Sequence, residues 1–131
     1  MKIKNIVITT ILLTAGFQAS ASSTAFTESS FEQAIKSGGP VVVAFHSDSC
    51  GSCKIQKPNL EAVLSEDPLK PVPGFMANFE DTSEFRKKMQ KPVRGPSTIL
   101  VFNHGKEVSR IQGETNKEKI RATISKSITQ N

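Results

Sequence analysis

The sequence predicts an α/β domain in which a central mixed sheet is flanked by helices on both faces. Three observations point there. Val41–Phe45 and Thr98–Phe102 are short continuous apolar runs, the pattern of strands covered on both sides. Stretches with apolar residues at helical spacing precede, separate and follow these runs. Asn103-His104-Gly105-Lys106 then marks a hairpin turn after the second run. Strands that alternate with helices and close in a hairpin call for a mixed sheet between two helical layers.

The 131 residues suit one domain, and the first of them read as a leader rather than as part of it. Lys2 and Lys4 precede an uncharged apolar stretch from Ile6 to Phe17, too short for a comfortable membrane span. Ala19-Ser20-Ala21 supplies a small-x-small cleavage pattern. Residues 1–21 are therefore expected to be a secretory signal peptide, with an uncleaved membrane anchor as the alternative. No cysteine directly follows the apolar stretch, which disfavours a lipid-anchored lipoprotein. The domain is expected over residues 22–131. Of the formal charge of +5, Lys2 and Lys4 carry two, so residues 22–131 carry +3 from 15 basic and 12 acidic side chains. The lysines are scattered and Trp and Tyr are absent, so the basic stripe with interleaved aromatics that nucleic-acid binding asks for is missing.

Within the domain, Thr27 can cap a helix through Phe31, Ala34 and Ile35, which Gly38-Gly39-Pro40 stops. Val41–Phe45 is the first strong strand. Cys50–Ser65 reads as a helix whose apolar face is Ile55, Leu60, Val63 and Leu64, with Pro58 inside it. Residues 74–80 form a mixed strand and residues 83–90 a short helix. Thr98–Phe102 and Glu107–Ile111 flank the hairpin turn, and Gly113 breaks the second of them. A last helix over 115–128 carries Ile120, Ile124 and Ile128 on one face.

The chemistry lies in Cys50-Gly51-Ser52-Cys53, the two cysteines of the chain. They follow a buried strand and occupy the first turn of a helix. Helix N-termini present unpaired amide donors and the positive end of the dipole, and both favour thiolate over thiol. The thiolate is the reactive form, so this position activates Cys50. Cys53, one turn on, is placed to attack a mixed disulfide formed at Cys50. Lys54 and Lys57 add positive charge nearby. Three other readings compete. A structural staple between residues three apart would remove little unfolded-state entropy. A zinc site would need two more ligands, and neither His46 nor His104 is spaced to supply one, so no metal is expected. Haem attachment needs histidine where Lys54 stands.

Residues 41–54, Val41-Val42-Val43-Ala44-Phe45-His46-Ser47-Asp48-Ser49-Cys50-Gly51-Ser52-Cys53-Lys54, resemble the strand, active-site loop and helix start of the thioredoxin family. Pro58 matches that family's helix proline, and Val93-Arg94-Gly95-Pro96-Ser97-Thr98-Ile99-Leu100-Val101-Phe102 resembles the segment around its cis-proline. Asn103–Glu107 and Gly113 match its hairpin and the break before the last helix. The resemblance implies a thioredoxin fold with a sheet of four strands, or five if a reduced first strand is kept. It implies dithiol–disulfide exchange without a cofactor, with Cys50 the exposed attacking thiol and Cys53 the buried resolving thiol. Gly95, Pro96 and Ser97 would meet substrate.

The departures from the family pattern are specific. Ala44 replaces its buried acid, His46 an aromatic, Ser49 a tryptophan and Ser52 the proline between the cysteines. An ungapped alignment puts Ser97, not Pro96, at the cis-proline position. A cis bond before a non-proline residue costs about 3 kcal/mol, so the Pro96–Ser97 peptide is expected to be trans. His46 and Lys54 are candidates for tuning the pair, His46 as a nearby titrating group.

The expected function is that of an exported thiol–disulfide oxidoreductase of the protein-disulfide reductase type, in a bacterial periplasm. Its expected partners are protein thiols and disulfides and a membrane or exported redox partner, with the chain itself a monomer. The alternative is a non-catalytic binding module or chaperone on the same fold.

Overall fold

A computed structural model describes residues 23–130, so the expected signal peptide lies outside the described residues. The elements run β1 (Thr24–Ala25), α1 (Glu28–Lys36), β2 (Val41–His46), α2 (Gly51–Leu64), β3 (Gly74–Asn78), α3 (Ser83–Lys88), β4 (Thr98–Asn103), β5 (Lys106–Gln112) and α4 (Lys117–Thr129). They build one five-stranded sheet in the order β1-β3-β2-β4-β5. β1, β3 and β2 run parallel, and β4 and β5 run antiparallel to their neighbours. The first strand is present but reduced to two residues.

Alternation along β2 explains its unbroken apolar sequence. Val42 and Ala44 face one core with Leu60, Val63 and Leu64 of α2 and Ile120 and Ile124 of α4. Val41, Val43 and Phe45 face the other, with Phe31 of α1, Phe75 of β3 and Phe102 of β4. Phe31 stacks edge-on against Phe75, Phe85 and Phe102 at centroid distances of 6.2, 5.4 and 5.2 Å. Such tilted pairs avoid ring-face repulsion and add to the area they bury.

The ends of the elements follow from local chemistry. Thr27 Oγ1 accepts the Ser30 amide at 3.1 Å and caps α1. The β4–β5 turn has His104 at φ 52° and Gly105 at φ 75°, the two left-handed residues that a tight hairpin twist requires. A register shift beside Val101/Phe102 skips Val108, which is left 46% exposed.

One expectation about α2 is corrected. Ile55 is not on the apolar face; it is 55% exposed. The buried stripe is Cys53, Gln56, Leu60, Val63 and Leu64. At about 100° per residue, Ile55 lies roughly 140° around the helix from Leu60, whereas Gln56 lies only about 40° from it. Among the described residues, no helix is long and apolar enough to cross a membrane.

Candidate active site

The chain leaves β2 at His46 and turns through Ser47-Asp48-Ser49 into α2. The Cys50 amide donates to the Ser47 carbonyl at 3.1 Å, which closes the turn. Cys50 is the N-cap of α2, with extended backbone (φ −91°, ψ 110°). Serine, threonine and aspartate usually fill such a position with an oxygen acceptor. Here the acceptor is sulfur: Cys50 Sγ takes the Cys53 amide at 3.2 Å. Ser52 Oγ lies 3.4 Å from the same sulfur. The fold thus points one orphan amide of the helix start, and a hydroxyl, at Cys50.

Cys50 and Cys53 are joined as a disulfide, with their Cα atoms 5.3 Å apart. Their exposures differ. Cys50 is half-buried, whereas Cys53 is 3% exposed beneath the first turn of α2. An incoming sulfur therefore reaches Cys50 before Cys53. After reduction, the same amide and dipole can stabilise a thiolate at Cys50.

Around the pair, Ala44 is 2% exposed and packed in the apolar core, so no carboxyl stands beneath the cysteines at that position. Ser47 is buried; its hydroxyl donates to Glu80 and lies 3.0 Å from Ser49 Oγ. The Ser47 hydroxyl, with backbone help and the nearby charges of His46 and Arg86, holds the Glu80 carboxyl below the usual carboxylate range. His46 is half-buried at the end of β2, and its Nδ1 is buried without a hydrogen-bond partner. Lys54 and Lys57 are exposed on α2.

The turn before β4 comes to the same end of the sheet. Phe45 pairs with Thr98, and Thr98 with Gln112, so residues 95–97 and 113–114 flank the Cys50 turn. Gly95 and Pro96 are half-buried and Ser97 is 3% exposed. The peptide before Ser97 is trans; the cis bond among the described residues is Asp67–Pro68. Ser97 instead adopts left-handed backbone, φ 61°. Its amide donates to the Phe45 carbonyl at 2.8 Å, a bond that proline could not make. Its carbonyl accepts from the Gly113 amide at 2.9 Å and from Gln56 Nε2 at 3.0 Å. Both backbone groups of Ser97 are thus used internally, and the Ser97 hydroxyl is buried without a partner.

Gln56 and Asn59 are the residues that sequence reasoning missed. Gln56 Nε2 also donates to the Glu114 carbonyl at 2.9 Å, and Asn59 Nδ2 donates to the Thr115 carbonyl at 2.8 Å. The available signal was an amide side chain on the helix stripe that the apolar residues define. Among the described residues, no group of three or more His, Cys, Asp or Glu side chains is arranged to hold a metal ion.

A family model described as Thioredoxin matches residues 22–126. The thioredoxin of Chlamydia trachomatis serovar D is 32% identical over 99 residues, which cover 76% of this chain and 92% of that one. The mitochondrial thioredoxin of Bos taurus is 30% identical over 97 residues, 74% of this chain; the chain spans 57% of that protein's length. Among solved structures, Trxlp from Edwardsiella tarda EIB202 superposes with a TM-score of 0.71 at 26% identity, over 77% of this chain and 98% of that one.

Proposed function

The chain belongs to the thioredoxin family, and from that premise we propose that it is a thiol–disulfide oxidoreductase that reduces protein disulfides outside the cytoplasm. The observation that carries this reading is the bonded Cys50–Cys53 pair at the N-cap of α2, with Cys50 the more exposed sulfur. In the reduced protein, the Cys50 thiolate attacks one sulfur of a substrate disulfide. The substrate bond breaks, a Cys50–substrate disulfide forms, and the released substrate thiolate takes a proton. The Cys53 sulfur, as thiolate, then attacks Cys50 Sγ and releases the second substrate thiol. Two electrons pass to the substrate, and the chain is left as the disulfide seen here.

Gly95 and Pro96, half-buried beside the pair, form the face that a substrate segment meets, with Ser97 as the bonded support beneath them. Lys54, next in the chain after Cys53, adds positive charge beside the pair, and His46 stands at the end of β2 that leads into the Cys50 turn. Residues 1–21 direct export, and a membrane or exported redox partner returns electrons to the pair. The domain works as a monomer. A binding or chaperone role draws its support from Ala44, which puts a methyl group where the family pattern has a buried acid.

Three measurements test these statements. The purified protein should accelerate insulin-chain precipitation by dithiothreitol, and its pair should have a potential near that of thioredoxin, about −270 mV. Background insulin rates would overturn the enzyme and leave the binding module; a potential near −120 mV would overturn the reducing direction. For export, mass spectrometry of the protein from a periplasmic extract should show a chain beginning at Ser22. Retention in the cytoplasm with residues 1–21 intact would refute it.

A further inference from the structure

We propose that Gln56 is a positioning residue for substrate, bracing the 95–97 turn in the form that protein disulfides need. The inference rests on the oxidoreductase reading above. Its basis is that the turn has no internal reason to hold its shape. The cis-proline expected of the family is absent, and Ser97 sits at φ 61°, a region that side chains with a Cβ avoid. Something outside the turn has to over-determine that conformation.

Three hydrogen bonds do so. The Ser97 amide is tied to Phe45 of β2, and its carbonyl is tied to Gly113 and to Gln56. Gln56 spends its second Nε2 proton on the Glu114 carbonyl. One side chain thus joins the turn before β4, the turn after β5 and α2. Gln56 is 3% exposed, so water does not compete for these bonds. It lies three residues after Cys53 on the same helix face, so the brace is anchored to the element that carries the redox pair. The Thr98 hydroxyl, donating to the Gly95 carbonyl at 2.8 Å, passes the restraint on to Gly95 and Pro96.

Two kinds of substrate respond differently to such a brace. A small disulfide needs only the Cys50 sulfur. A protein disulfide also has to lay its backbone against Gly95 and Pro96, so a loosened turn weakens its binding and leaves the chemistry alone.

The variant is Gln56→Met, close in shape and unable to donate. KM for insulin should rise about tenfold with kcat within about twofold, the pattern of lost positioning in binding. The rate with the small aromatic disulfide 5,5′-dithiobis(2-nitrobenzoate) should stay within about twofold of wild type. An unchanged insulin KM, or an equal loss on both disulfides, overturns the proposal. In the wild-type protein, which needs no variant to fold, the Gln56 Nε2 protons and the Ser97 amide should exchange with solvent at least about tenfold more slowly than exposed groups. Exchange at the rate of an exposed glutamine also overturns it. Wild-type protein inactive on insulin, with these protons protected, would refute the oxidoreductase reading and the positioning role built on it, whereas active wild type with the protons unprotected would refute the brace alone.

Discussion

Cys53→Ser should convert the protein into a trap that stays covalently bound to its substrates, whereas Cys50→Ser should bind none. The difference follows from exposure and position. Cys50 is the half-buried N-cap whose sulfur accepts the Cys53 amide, and Cys53 is 3% exposed behind it. Without Cys53, the first exchange still forms a Cys50–substrate disulfide, and the step that would resolve it is lost. Without Cys50, the sulfur that remains is one that a protein disulfide cannot approach. Insulin reduction should fall to background in both, a loss on the order of a thousandfold for removing a nucleophile. Non-reducing electrophoresis after exposure to an oxidised protein extract reads the distinction. Adducts on Cys50→Ser, or on neither variant, would reverse or remove the assignment of roles.

Ala44→Asp should be the most destabilising single change that restores a feature of the family pattern. Ala44 lies in the middle of β2, paired with Met76 and Ile99, and packs among Val42, Leu60 and Val63. Burying a neutral carboxyl there without a partner costs about 1–3 kcal/mol, and the ionised form costs more. Fitting its extra atoms into a packed core costs about 1–3 kcal/mol again. Desolvation raises the folded-state pKa of the introduced carboxyl above its unfolded value near 3.9. The folded state then holds the proton more tightly, so stability is greatest at low pH and is lost as pH rises above about 4, until the folded-state group ionises. Urea unfolding at pH 4 and pH 7 checks this: the variant should lose about 2–5 kcal/mol, more at pH 7. Equal and unchanged midpoints at both pH values would mean that the carboxyl finds water or a partner, and that this part of the core is not dry.

Much of this molecule is legible in its sequence because the signals are local. The apolar runs at 41–45 and 98–102 are β2 and β4, and the Asn103–Lys106 turn is the hairpin between β4 and β5. Thr27 caps α1 as its hydroxyl allows. The trans peptide before Ser97 follows from the cost of a cis bond without proline. Ile55 and Gln56 show where local reading stops. Hydrophobicity alone favours Ile55 as the buried residue, yet its angle on α2 sends it to solvent and turns the polar Gln56 inward. A glutamine can occupy that place because two carbonyls from distant turns meet it there.

By itself the sequence determined the order of strands and helices, the family, and the Cys50–Cys53 pair at the start of α2. Each of these depends on residues within one or two turns of one another, so periodicity, capping and motif spacing carry them. The tertiary structure alone decided that Ser97 is left-handed and that Gln56 serves partners 41 and 58 residues away. Those outcomes depend on burial and on which backbone groups the sheet leaves unpaired, and both arise only when remote segments pack together.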